Sequence, residues 1–250
     1  MNRRHALKAL AGLALCPICA SSGFAAEGAH WSYEGGDGPD HWGDIDAASK
    51  VCSAGSEQSP INIAATVKAQ LAPLKTAWAK NADSIVNNGH TIQLNFEQGS
   101  ALTVGGNGYA LLQFHFHHPS EHHIGGKSFP MEVHFVHRNF AGNLAVVGAL
   151  MTAGKPNAVF NKIVKSMPQK AGDPVKAAAG IDPNALLPPL RAYYRYAGSL
   201  TTPPCSEVVD WLLLHQPIQV AKPDIEAFGK LFPMNARPIQ KDNRRFVLTS

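Results

Sequence analysis

Three histidines in the middle of the chain are of the residue type and number that zinc requires. His115 and His117 lie two residues apart in one segment, and His134 lies in the next apolar segment. Three protein ligands leave a fourth coordination position for water or substrate, whereas structural zinc sites are closed by four protein ligands. The sequence therefore predicts a catalytic zinc site formed by His115, His117 and His134.

A β-hairpin would bring these histidines together. Residues i and i+2 of a strand face the same side, so His115 and His117 can converge on one ion. The segment that follows contains residues typical of turns, namely Pro119, Gly125, Gly126 and Pro130. A strand beginning at Met131 can therefore return antiparallel and place His134 beside the other two.

Each predicted strand also carries a polar partner for a ligand. Gln113 precedes His115 by two residues, and Glu132 precedes His134 by two. Both side chains can accept a hydrogen bond from the ring nitrogen that does not bind metal, and so fix the ring. Two histidines that are two residues apart on a strand, with no third ligand, more often belong to an exposed polar face. The third histidine, the two partners and the apolar setting favour metal binding.

The first 25 residues are typical of a secretory signal peptide. Basic residues at the start precede a short apolar run, and small residues around Ala25 suit cleavage after that position. The run is too short and interrupted to span a bilayer. Paired Arg3 and Arg4 suggest twin-arginine export. We expect a periplasmic protein, with extracellular secretion as the alternative.

Residues 26–250 have the length of a single domain. Removal of Arg3, Arg4 and Lys8 lowers the net charge from +4 to +1, which gives no electrostatic reason to expect binding to nucleic acid or to a membrane surface. Cys52 and Cys205 are the two cysteines left after cleavage. In an oxidising compartment they favour one disulfide over the alternative of two buried thiols.

Hydrophobic periodicity predicts a mainly β fold. Apolar residues alternate with polar ones, or form short apolar runs, in residues 91–96, 111–117, 131–136, 144–151 and 208–214. Helical spacing is confined to residues 157–167 and 223–231. Residues 26–59 read as an irregular arm and residues 173–189 as a surface excursion. An antiparallel sheet with small peripheral helices follows as the fold class.

Six segments, in their order along the chain, resemble the alpha-class carbonic anhydrases. They are QSPIN (58–62), NNGH (87–90), QFHFH (113–117), SEH (120–122), EVHFVH (132–137) and GSLTTPPC (198–205). The resemblance implies one domain with a large twisted, mostly antiparallel sheet of about ten strands. It also implies zinc at the bottom of a cone-shaped cleft, and reversible hydration of CO2 to bicarbonate and a proton by zinc-bound hydroxide.

The resemblance also implies a role for individual residues. Thr201 would accept a hydrogen bond from the hydroxide and donate its own proton to Glu121, while Thr202 would help to bind bicarbonate. His90 would carry protons to solvent. An apolar wall for CO2 would comprise Val136, Val146, Leu200 and Trp211, and the residues that order water would be Tyr33, Asn88 and Gln93. Residue type alone would make the wall residues core and His90 a loop residue.

The remaining histidines of this region are interpreted as structural: His118, His122, His123 and His137. The family's secreted and bacterial members share a disulfide at the positions of Cys52 and Cys205. His118 and Arg138 depart from the tryptophans common in animal relatives, which affects packing and the pocket rim.

Two other functions remain open at this stage. One is hydrolysis of activated esters at the same zinc site, and the other is an exported zinc-binding or carbohydrate-binding module without turnover. Retention of all three zinc histidines together with Thr201 and Glu121 favours an enzyme. Its partner would be a small molecule, CO2 or bicarbonate, and a homodimer is also compatible with the sequence.

Overall fold

The alternating segments of the chain assemble into one large mixed sheet. The computed structural model describes residues 30–97 and 99–250, and residues 31–250 cluster as one unit. The predicted signal peptide, residues 1–25, lies outside the described residues. The strands are β1 (Asn62–Ile63), β2 (Val67–Lys68), β3 (Lys75–Ala77), β4 (Ser84–Asn87), β5 (Ile92–Asn95), β6 (Ala101–Val104), β7 (Asn107–His117), β8 (His123–Ile124), β9 (Met131–Arg138), β10 (Leu144–Ala153), β11 (Val175–Lys176), β12 (Tyr193–Gly198), β13 (Val209–Leu214), β14 (Ile218–Val220) and β15 (Leu248–Thr249).

Ten of these strands form one continuous path across the sheet, in the order β11-β4-β5-β7-β9-β10-β13-β12-β15-β2. Strand β6 pairs with β7 and β3, and β14 pairs with β10, which makes 13 strands in this sheet. Most neighbours are antiparallel, but β10 runs parallel to β13 and β14, and β15 runs parallel to β2. A separate parallel pair joins β1 and β8. The predicted mainly β, mostly antiparallel fold is confirmed.

The helices are short and lie outside the sheet, as predicted. They are α1 (Val51–Ala54), α2 (Ala158–Ser166) and α3 (Lys222–Leu231). Asn157 begins α2 because its side-chain oxygen accepts hydrogen bonds from the backbone N–H groups of Val159 and Phe160, both at 3.0 Å. No helix of the described residues is long and apolar enough to cross a bilayer.

The two faces of strands β7 and β9 carry different chemistry. On one face Phe114, Phe116 and Phe135 are fully buried in the larger of the hydrophobic clusters. On the other face His115 lies directly opposite His134 in the antiparallel register. Because strand residues alternate between faces, the apolar core fixes which side chains reach the polar face.

Two irregular segments contribute more to packing than their composition suggests. Within the arm, the ring of Trp42 is fully buried, among the short 3-10 turns Gly35–Asp37, Pro39–Asp44 and Ala48–Lys50. Residues 173–189 are not merely a surface excursion, since Ile181 and Leu186 are fully buried in the larger core. Isolated apolar residues in a polar, proline-rich segment have no periodicity by which their burial could be predicted.

The Cys52–Cys205 disulfide is present and joins α1 to the segment after β12. The alternative of two buried thiols is therefore wrong. The bond spans 153 residues of sequence and packs with Trp42.

Candidate metal centre

The three predicted ligands converge on one point of the polar face. One ring nitrogen from each of His115, His117 and His134 lies within 4.8 Å of the others. His117 and His134 are each 1% exposed, whereas His115 is partly exposed. The rings come from two adjacent strands, β7 and β9, whose register is set by the hairpin.

The other nitrogen of each ring makes a hydrogen bond of 2.8 Å. His115 Nδ1 donates to Gln113 Oε1, and His134 Nε2 donates to Glu132 Oε1. His117 Nδ1 donates to the backbone oxygen of Asn235. These bonds fix the tautomers, so that Nε2 of His115, Nε2 of His117 and Nδ1 of His134 keep lone pairs. The two contacts predicted within the strands are both present.

The three rings fit a zinc ion. His117 Nε2 is buried and makes no hydrogen bond with any residue that the structure describes, a state that is costly unless an ion or water satisfies the atom. Burial lowers the pKa of His117 to about 4, and it also lowers the pKa values of His115 and His134 below the ordinary 6.5. The imidazoles are therefore neutral at pH 7, which is the form that binds metal.

A second group of potential ligands, His122, Glu132 and His134, is a hydrogen-bonded network instead. Glu132 Oε1 accepts from His122 Nδ1 at 2.8 Å and also from His134. Glu132 Oε2 accepts from the backbone N–H groups of Glu121 and His122, at 3.0 and 2.8 Å. Burial would raise the pKa of Glu132, but the charges and hydrogen bonds of the two histidines hold it well below its ordinary value. An ionised Glu132 with all these partners orients the ring of His134.

Glu121 lies beside the predicted ligands. Its Oε1 accepts from the backbone N–H of Arg237 at 2.9 Å, while Oε2 lies 3.5 Å from His117 Nε2 and 3.8 Å from His134 Nδ1. Burial raises the pKa of Glu121 to about 7, and the His134 and Thr201 side chains act in the opposite direction. Thr201 and Glu121 therefore lie close to each other at the edge of the triad formed by His115, His117 and His134.

The loop that carries Thr201 is held on both sides. Ser199 Oγ accepts from the backbone N–H of Ser59 at 2.9 Å, and the backbone oxygen of Ser199 accepts from Trp211 Nε1 at 3.0 Å. Further along, the backbone N–H of Cys205 donates to the backbone oxygen of Thr202, and Cys205 carries the disulfide. Anchors before and after Thr201 therefore restrain the backbone that carries it.

The predicted wall residues lie side by side next to the triad. Val146 is opposite Val136 on β9 and opposite Trp211 on β13. All three are buried in one hydrophobic cluster, and Leu200 packs against it. The Trp211 ring centroid is 4.8 Å from that of His134. An apolar surface therefore adjoins the metal-binding face.

His90 lies in the turn between β4 and β5 and packs against the irregular arm. Its ring stacks on Trp31 with centroids 3.6 Å apart and planes 7° apart, and Tyr33 is 6.4 Å away. Asn88 Oδ1 accepts from the backbone N–H groups of His90 and Thr91, so this side chain shapes the turn. Gln93 lies opposite His115 in the sheet and donates to Asn95.

Sequence reasoning did not find several residues that position this site. Asn235 supplies the backbone acceptor for His117, and its side-chain Nδ2 donates to the backbone oxygens of Phe116 and His90, each at 2.9 Å. A backbone carbonyl leaves no signal in residue type. His122, interpreted as structural, offers no free nitrogen to the triad, but it holds Glu132 and lies 2.6 Å from Tyr196 OH. Its position next to Glu121 in the sequence was the only available signal.

Comparison with known proteins agrees with this geometry. The family model described as eukaryotic-type carbonic anhydrase matches residues 37–250. A carbonic anhydrase of Klebsiella pneumoniae is 41% identical over 243 residues, which covers 96% of each chain. One from Neisseria gonorrhoeae is 43% identical over 234 residues, covering 92% of each.

A solved structure shows the same fold. The alpha-carbonic anhydrase of Thermovibrio ammonificans, in complex with the inhibitor sulfanilamide, superposes with a TM-score of 0.86. It is 44% identical and covers 88% of this chain and 99% of its own. The chain therefore belongs to the eukaryotic-type, alpha-class carbonic anhydrase family and is a carbonic anhydrase.

Proposed function

We propose that the chain catalyses the reversible hydration of CO2 to bicarbonate and a proton, with zinc held by His115, His117 and His134. The observation that carries the proposal is the convergence of three neutral imidazoles, each with one nitrogen fixed by a hydrogen bond. Zinc bound there supplies a Lewis acid that lowers the pKa of water enough to provide a nucleophile at neutral pH.

Thr201 and Glu121 would orient the nucleophile. Glu121 Oε1 is committed to the backbone of Arg237, so the rest of the carboxylate is available to the Thr201 hydroxyl. While the Thr201 O–H group donates a hydrogen bond to Glu121, the Thr201 oxygen can only accept a further hydrogen bond. It would therefore select and aim an O–H group of the attacking species. Thr202, next in the loop, would contact bicarbonate.

The apolar wall would hold CO2, which has no charge and makes only weak hydrogen bonds. Val136, Val146 and Trp211 are at most 9% exposed, and Leu200 is partly buried against them. Such a surface binds a small nonpolar molecule without holding bicarbonate tightly, which favours product release.

His90 would transfer the proton to solvent. Histidine changes its charge near neutral pH, so it can take up and release a proton in each turnover. Tyr33 lies near both His90 and Glu121: burial raises its pKa well above 10, and the charge of Glu121 adds to that shift. With Asn88 and Gln93, Tyr33 would order the water between His90 and the metal.

Hydrolysis of activated esters would be a minor activity of the same site. Val146 and Trp211 are 2% and 1% exposed, so the wall is closely packed and suits a substrate as small as CO2. For the cellular context, we propose that residues 1–25 direct export to the periplasm and are then removed. We propose a homodimer as the assembly to be tested.

The test is metal analysis of the purified mature protein together with stopped-flow CO2 hydration. We expect one zinc per chain and rapid hydration. A strong chelator should abolish the activity, and added zinc should restore it. Ester hydrolysis should be far slower than CO2 hydration. Equal hydration by zinc-free protein, or none by zinc-loaded protein, would refute the proposal.

A further inference from the structure

Arg237 is a buried cation whose guanidinium has no carboxylate partner among the described residues. The residue is 3% exposed, and its guanidinium donates to three uncharged acceptors. Nη1 donates to Gln58 Oε1 and to the backbone oxygen of Ser59, each at 2.8 Å, and Nη2 donates to the backbone oxygen of Cys52 at 2.9 Å. The Trp42 ring lies 5.5 Å from the guanidinium carbon.

These contacts anchor a stretch of chain that has no regular structure. Residues 232–239 belong to no helix or strand, so no helical or sheet ladder fixes the backbone of Arg237. The guanidinium instead ties it to the disulfide-bonded helix α1 and to Gln58 and Ser59. An arginine fork with three acceptors restrains rotation as well as position.

The backbone of Arg237 in turn fixes Glu121. Its N–H donates to Glu121 Oε1 at 2.9 Å, and Glu121 Oε2 is left facing His117 and His134. If the Arg237 backbone moved, the Glu121 carboxylate could rotate and the Thr201 hydroxyl would lose a defined acceptor. A misplacement of about 1 Å in a supporting group can lower turnover by about a hundredfold.

We propose that Arg237 is a positioning residue of the reaction: its buried guanidinium holds its own backbone N–H against Glu121, and thereby keeps the Glu121 carboxylate in place as the proposed acceptor for the Thr201 hydroxyl. This inference rests on the proposed function, because it acts through Thr201. It assigns to Arg237 no contact with substrate or metal.

Arg245 offers a matched control. Its guanidinium also donates to backbone oxygens, those of Gln58, Ala197, Lys241 and Asp242, at 2.7 to 3.0 Å. It too lies over an aromatic ring, 5.6 Å from the centroid of Tyr196. None of these hydrogen bonds reaches Glu121, so Arg245→Met should weaken packing while leaving turnover of the zinc-loaded enzyme near that of the parent.

The experiment compares Arg237→Met, Arg237→Lys and Arg245→Met in the zinc-loaded mature enzyme. We expect Arg237→Met to retain one zinc per chain and to lose about ten- to a hundredfold in kcat/KM for CO2, mainly through kcat. Arg237→Lys, which keeps the charge, should be intermediate. Parent-like turnover of Arg237→Met, or loss of its zinc, would overturn the inference.

A double-mutant cycle with Thr201→Ala separates positioning from general damage. If Arg237 acts through the Thr201 hydroxyl, Arg237→Met should change kcat/KM less than twofold once that hydroxyl is absent. The same factor in both backgrounds would contradict the inference. If Arg237→Met does not fold, Arg237→Lys takes its place in the cycle. Full activity of zinc-loaded Thr201→Ala would instead refute the proposed role of Thr201, whatever Arg237 does.

Discussion

Two histidines of strand β9, three residues apart, show what separates a metal site from an ordinary buried side chain. His134 and His137 are 1% and 0% exposed, and each has one ring nitrogen hydrogen-bonded. The free nitrogen of His134 converges with those of two other histidines. His137 Nε2 is also without a hydrogen bond, but the ring stacks against Trp78 at 5.4 Å, on the apolar face.

Burial and a free lone pair are therefore not enough to identify a ligand. Burial lowers the pKa of His137 to about 4, the same value it gives His117, so both rings are neutral. The difference lies in the face of the sheet. On one side the neighbouring strand presents two more imidazoles, and on the other it presents phenylalanines.

The largest effect is expected when one histidine of the polar face is replaced, and the matched control replaces one histidine of the apolar face. His115→Ala removes one of the three proposed ligands, and we expect zinc content near zero and CO2 hydration at background. His137→Leu, similar in size and without an unsatisfied nitrogen, should retain zinc and turnover. Metal analysis and stopped-flow hydration would measure both. Loss of zinc from His137→Leu would break the distinction between the two faces.

An intermediate effect is expected from a histidine that belongs to neither face. His90→Ala should slow CO2 hydration in dilute buffer by at least about tenfold, because the proton would lose its carrier. Zinc content should be unchanged, and added imidazole buffer should restore the rate. A His90→Ala enzyme with parent rates in dilute buffer would remove His90 from the mechanism.

His137 should have the smallest effect on catalysis, but it should make the free energy of unfolding depend measurably on pH. Its pKa in the folded chain is about 4, against an ordinary 6.5. Between pH 6.5 and pH 4 the unfolded chain binds a proton at His137, whereas the folded chain does not. The free energy of unfolding therefore decreases as pH falls from 6.5 to 4.

His137→Leu removes this loss. Its free energy of unfolding, measured in urea, should gain on the parent as pH falls from 7 to 4, by on the order of 2 to 3 kcal/mol. The other ionisable groups are common to both proteins and cancel in the comparison. A constant difference between the two proteins across this range would show that His137 takes up its proton without cost in the folded state.

Much of this site could be predicted because it lies within single strands. The spacing of His115 and His117, and the placement of Gln113 and Glu132 two residues before a ligand, follow from a period of two. Helix α2 could be predicted because its signal, an apolar stripe with helical spacing, also lies within one continuous element. The contacts of Asn235 and Arg237 could not be predicted, because they join an irregular segment through its backbone groups to His117 and Glu121, which lie more than 100 residues away in the sequence.

The sequence by itself determined the three candidate ligands, the alternation that puts them on one face, and the resemblance to the family to which the chain belongs. Only the tertiary structure decided which nitrogen of each ring is free, that Glu121 is held between Arg237 and the triad, and that His122 serves Glu132. The physical reason is that periodicity is a local property of the chain, whereas a tautomer or a carboxylate orientation depends on hydrogen-bond partners that folding brings from distant segments.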